Sequence, residues 1–130
     1  MSLTIHIHYT GAGGSARRFA EEMTASGTAD AIRHEPGNLG YDYYLPLEDP
    51  ESVLLIDSWR DQAALDAHHA SPMMARIAAL RERYDLHMRV ERFVSDEAVP
   101  SGESFLRRSA FPQRGKAGRT GSAAPMGTTV

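Results

Sequence analysis

Two histidines stand side by side in Leu65-Asp-Ala-His68-His69-Ala-Ser71-Pro72. Imidazole suits proton transfer near neutral pH, because its unperturbed pKa is about 6.5. On a helix, His68 turns toward the face of Leu65, three residues earlier, and His69 lies about 100° further round, toward solvent. Two roles are open to His68: a general base, or a packed histidine at a helix break, satisfied by a backbone carbonyl. Trp59 closes the most apolar stretch of the chain. Its indole N–H suits a substrate oxygen and its ring suits a pocket wall, although a core aromatic fits the same place. Asn38, after Pro36-Gly37, offers an amide to an anionic oxygen at a position where turns also favour Asn. Tyr43 and Tyr44 point to opposite sides of one strand, so one suits a pocket and the other a seam.

His6 and His8 share one face of an N-terminal strand. A pair at i, i+2 can chelate a metal, but a third ligand is needed and the sequence offers no H-x-x-E-H companion. Pocket lining or an interface is the expectation for them, with no metal. Gly11-Ala-Gly-Gly14 lacks the G-K-[ST] ending and the G-x-G-x-x-G spacing of phosphate loops, and reads as a connector. The chain contains no cysteine, which removes disulfides, thiolate metal sites and cysteine nucleophiles. No redox cofactor is expected.

The elements that must carry these residues follow from periodicity. Leu3 to Tyr9 alternates, with Leu3, Ile5, Ile7 and Tyr9 on one side and Thr4, His6 and His8 on the other, which makes a strand. Ser15 is positioned as an N-cap of the first helix, which carries Phe19 and Met23, should break near Gly27-Thr28 and ends at Pro36-Gly37. Leu39 to Leu47 and Ser52 to Arg60 read as two strands of a hairpin with a long loop. Asp61 caps a short helix through His68, and Ser71-Pro72 restarts it with Ser as cap and Pro at the first helical position. Met73, Ile77, Leu80 and Tyr84 then share a helical face. Leu86 to Val94 alternates as a fourth strand. The order β-α-β-β-α-β is the split pattern of the ferredoxin-like α+β class, with a four-stranded antiparallel sheet.

The chain has 130 residues and a net charge of −3, which suits one domain and argues against a nucleic-acid binder. The N-terminus lacks the pattern of a signal peptide, and no apolar run approaches a membrane span. A soluble, cytoplasmic protein is expected, and abundant Ala, Arg and Gly hint at a GC-rich bacterial source. Residues 1–97 form the expected domain. Residues 98–130 read as a low-complexity basic tail, with Arg107, Arg108, Arg114, Lys116 and Arg119 against Glu103, and with Phe105, Leu106 and Phe111 as its only anchors. The second and third strands carry bulky apolar groups on both faces: Tyr41, Tyr43, Val53, Leu55 and Trp59 against Tyr44, Leu54 and Ile56. Helices cover one face, so a second copy of the sheet is the simplest cover for the other.

Glu35-Pro-Gly-Asn-Leu-Gly-Tyr41, Asp57-Ser-Trp59 and Leu65-Asp-Ala-His68-His-Ala-Ser71-Pro72, in that order, resemble the antibiotic biosynthesis monooxygenase family over about residues 3 to 94. The resemblance implies a dimeric α/β barrel and a cofactor-independent oxidation of a phenol or hydroquinone by O2. On that reaction His68 would be the base, with Trp59 and Asn38 as donors, and Tyr43, Tyr44, His6, His8 and Met73 are the residues expected to line the substrate site. Met73 stands where many members carry a second His directly after Ser/Thr-Pro. The haem-degrading relatives place an axial His farther along the second helix, and residues 74–84 contain none. An isomerase or lyase working by proton transfer would use the same His, and a non-catalytic small-molecule-binding stress-response module needs no titratable group near its ligand.

Overall fold

The computed structural model describes residues 1–96. The basic tail expected beyond residue 97, with Phe105 and Phe111, lies outside the described residues. Four strands, β1 (Leu3–Thr10), β2 (Asn38–Tyr44), β3 (Ser52–Trp59) and β4 (His87–Val94), form one sheet in the order β2-β3-β1-β4. Every neighbouring pair is antiparallel. Helices α1 (Ser15–Ala25) and α2 (Thr28–Arg33) follow β1, and α3 (Gln62–His69) and α4 (Met73–Arg83) follow β3. This is the expected ferredoxin-like α+β arrangement.

Strand alternation divides the sheet into two faces. Leu3, Ile5, Tyr9, Tyr41, Val53, Leu55 and Trp59 are buried on the helix side. They pack with Phe19 and Met23 of α1, Ile32 of α2, Leu65 of α3 and Ile77 of α4. Met73, Leu80 and Tyr84 are partly buried against that core, as their shared helical face requires. The helices break where glycine permits: Gly27, at φ 83°, occupies the left-handed region between α1 and α2.

Three boundaries differ from expectation. Gly14, not Ser15, caps α1 in a left-handed conformation. The Glu51 carboxylate, from the loop before β3, accepts from the Gly14 N–H at 3.0 Å. Pro72 is the N-cap residue of α4, and the Ser71 hydroxyl is buried without a hydrogen-bond partner. The Ser71 carbonyl accepts from Met74 instead, at 3.1 Å. The second strand ends at Tyr44, where its pairing with Leu54 ends. Pro46 has no N–H to continue the ladder, and Leu45 and Leu47 are left exposed.

Candidate active site

Strand β3 supplies the centre of the site. Its period of two sends Val53, Leu55, Asp57 and Trp59 to the helix side, and all four are buried. An acid therefore sits on the apolar face. The Trp59 indole N–H donates to Asp57 Oδ2 at 2.7 Å. The other carboxyl oxygen, Asp57 Oδ1, is buried without a hydrogen-bond partner. Burial pushes the Asp57 carboxyl above the usual carboxylate range, against the opposing pull of the Trp59 N–H and of His68 and His69.

His68, in the last turn of α3, is only 6% exposed. Its ring stacks on Trp59, with centroids 4.7 Å apart and planes 27° apart. Its Nδ1 meets Glu35 Oε1 at 2.6 Å. A carboxylate can only accept, so Nδ1 is the donor in this pair, and the tautomer that goes with it has the lone pair on Nε2. Glu35 reaches this position through a tight turn. Asn38 N–H donates to the Glu35 carbonyl at 3.1 Å, Pro36 takes the second position, and Gly37 takes the third at φ 84°. That is the residue pattern of a type II turn. The Asp61 carboxylate, accepting from Ala64 N–H at 2.9 Å, starts α3. That fixes the phase at which Leu65 and His68 turn inward while His69 stays exposed.

Phenols line the same face. Tyr41 stands opposite Asp57 in the register, and its hydroxyl lies 3.2 Å from that of Tyr43. Tyr9 accepts from Arg81 Nε at 3.0 Å. Burial pushes all three phenols upward from their ordinary range, so they remain protonated donors at neutral pH.

The structure thus brings Trp59 and His68 together, and sets Tyr43 on the same side of the sheet. Met73, at the start of α4, packs against the core. Asn38 is paired with Trp59 in the register, but both of its amide contacts, to the Gly40 and Ser58 carbonyls at 3.2 and 3.4 Å, hold the bulge in β2. The donors expected from Trp59 and Asn38 are therefore spent inside the protein. Tyr44, His6 and His8 stand on the opposite face, since they pair with Leu54 and Ile56 of the open side. Among the described residues, one trio gathers metal-ligating atoms: His6, His8 and Glu91.

Asp57, Glu35, Tyr9 and Arg81 join this cluster of contacts, and reading the sequence for chemistry passes over them. Asp57 had a signal: it shares the alternation phase of Leu55 and Trp59, and an acid in that phase must be buried. The Glu35–His68 pair spans 33 residues and leaves no periodic trace.

The antibiotic biosynthesis monooxygenase family profile matches residues 2–80. The chain belongs to that family. Its fold is shared by a putative antibiotic biosynthesis monooxygenase from Deinococcus radiodurans, at 20% identity and TM-score 0.66, over 78% of this chain and 98% of that one. SnoaB, a cofactor-independent oxygenase from Streptomyces nogalater, is 20% identical with TM-score 0.63, over 77% and 98% of the two chains. A Pseudomonas aeruginosa protein is 27% identical with TM-score 0.62, over 72% and 93%. No curated protein sequence matches the chain. Family membership and the oxygenase neighbour support a monooxygenase-like function.

Proposed function

We propose that this chain is a cofactor-independent monooxygenase that oxidises a phenolic or hydroquinone-type aromatic with O2, using His68 as the base. The observation that carries this reading is buried His68, paired with half-buried Glu35 and stacked on Trp59, whose N–H holds the Asp57 carboxyl with its second, unpartnered oxygen. Glu35 orients the ring and stabilises the imidazolium that forms when Nε2 takes a phenolic proton. Asp57 Oδ1 suits a second substrate hydroxyl, and the Tyr41–Tyr43 pair suits a developing anion. Trp59 serves as a wall rather than a donor, and Asn38 as a brace for the strand that carries the tyrosines.

Without a cofactor the substrate must supply every electron that O2 accepts. Atoms balance for a ring CH2 that enolises to a phenol: one oxygen atom becomes the new C=O, the other leaves as water, and four electrons pass from carbon to O2. Anthrone-like phenols therefore head the screen, with hydroquinones as two-electron donors. Oxygen uptake should appear with such a substrate and fall roughly 10²–10⁴-fold in His68→Ala, the range of a lost general base. His69→Ala should keep its rate. Full activity in His68→Ala would remove it from the mechanism. Product formation without oxygen uptake would make the chain an isomerase or lyase.

The working molecule is proposed to be a homodimer in the cytoplasm, closed over the helix-free sheet face. Tyr44 and Phe93 on that face are 50% and 42% exposed, with Leu54 and Ile56 half-buried between them. No helix among the described residues is long and apolar enough to cross a membrane.

A further inference from the structure

On the open face, His6 and His8 project from β1 and Glu91 from β4. His6 and Glu91 are register partners, and His8 is two residues along, so strand pairing converges all three. His8 Nε2 lies 2.8 Å from Glu91 Oε1, and His6 Nδ1 lies 4.0 Å from the same oxygen. One ligand atom from each residue falls within 4.8 Å of the others. We propose that His6, His8 and Glu91 form a binding site for a divalent transition-metal ion of the zinc class, on the sheet face opposite the His68 site.

The geometry fits such an ion. Nitrogen and oxygen ligands at about 2.0–2.2 Å in a tetrahedral shell stand roughly 3.3 Å apart. The separations here straddle that value, so small side-chain rotations close the site. Two imidazoles and one carboxylate suit zinc and its first-row neighbours, and leave a position for water. In the single chain the three side chains are 25%, 33% and 41% exposed, so the ion and that water can enter before a second copy closes over this face. The surroundings already orient the ligands. Arg89 Nη1 holds the other Glu91 oxygen at 3.2 Å, leaving Oε1 for the ion. The His6 ring lies against Phe93, with centroids 4.7 Å apart. A simple hydrogen bond to Glu91 needs one histidine. The second, facing the same oxygen from beyond hydrogen-bond reach, is what an ion would draw in. The site takes no part in the oxygenase reading and does not depend on it.

The test uses untagged protein stripped with a chelator and titrated with Zn2+ by calorimetry, then with Co2+ by visible absorption. One ion per chain is expected, with the intense d–d bands of a four-coordinate Co2+ site. His6→Ala, His8→Ala and Glu91→Gln should each weaken binding by roughly tenfold or more, and His34→Ala, at the residue after α2, should leave it unchanged. In wild-type protein, the His6 and His8 ring resonances should move with Zn2+ while that of His68 stays in place, a readout free of any folding defect in a variant. Stoichiometric binding that survives both histidine substitutions, or no saturable binding to the folded wild-type chain, would overturn the proposal.

Discussion

At Asp57 a single residue sets stability against use. Its carboxyl is buried, with one oxygen on the Trp59 N–H and the other unpartnered, and burial raises its pKa above the usual range. Between the unfolded value, about 3.9, and the raised folded value, the folded chain binds more protons than the unfolded one. Stability is therefore lost as pH rises through that window, and the deficit persists above it. Asp57→Asn removes the titration, and its amide oxygen can still accept from Trp59. The midpoint of Asp57→Asn relative to wild type should climb from pH 3 to pH 7, each kcal/mol showing as about 4–8 °C in a domain of this size. A midpoint difference that stays flat across that range would contradict the assignment. Turnover should fall in the same variant, because an NH2 would face the hydroxyl that Oδ1 is proposed to accept. His68 has no such conflict: Glu35 satisfies its Nδ1, and its other nitrogen is left for chemistry.

Among the elements, the turn from α2 into β2 matters most to the site, because it delivers Glu35 to His68 and Asn38 to the bulge. Gly37 is required there twice over. Its φ of 84° lies in the left-handed region, and an added Cβ would collide with the Ala64 side chain of α3. Its carbonyl also accepts from Arg60 N–H at 2.8 Å, tying the turn to the end of β3. Gly37→Ala should destabilise the chain by about 2–5 kcal/mol, combining backbone strain with overpacking. Gly27 has a similar φ, but nothing lies within 4 Å of a Cβ built on it. Gly27→Ala should cost only about 1–2 kcal/mol. Chemical denaturation of the two variants separates the terms, and equal losses would mean that contact with α3 is not what Gly37 avoids.

For the whole molecule, the question is what covers the apolar groups that one chain leaves in water. The helices shelter β1, β2 and β3, yet Met88, Val90 and Val94 of β4, on the helix side of the register, are each about half exposed. A dimer closed over the open face would cover Tyr44 and Phe93, which are 50% and 42% exposed there. Sedimentation equilibrium at micromolar concentration should give twice the 14.3 kDa chain mass. A monomer under those conditions would mean that this surface stays in water. The proposed metal trio lies on the same open face, so a dimer closed there would place the two ions near its seam.

Order and type of the elements were legible because they rest on local rules. The alternation of Leu3 to Tyr9, the breaker at Gly27, the Asp61 cap and the Pro36-Gly37 turn each act within a few residues, and each is where the chain implies. The inward phase of His68 followed from its spacing to Leu65 for the same reason. What the tertiary structure decided is which partners those residues meet. Trp59 was visible as a pocket wall, but only the fold gives its N–H to Asp57. His68 was legible as a candidate base turned inward, but the turn that hands it Glu35 lies before the β2–β3 hairpin. The caps of α1 and α4 differ from the local reading: the Ser15 and Ser71 hydroxyls are buried without a partner, while Glu51 holds the Gly14 N–H and the Ser71 carbonyl accepts from Met74. His6 and His8 lacked a third ligand in the sequence because Glu91 lies 83 residues beyond His8. Hydrogen bonds and register pairs of that separation are set by how strands align in the sheet, which no spacing along the chain encodes.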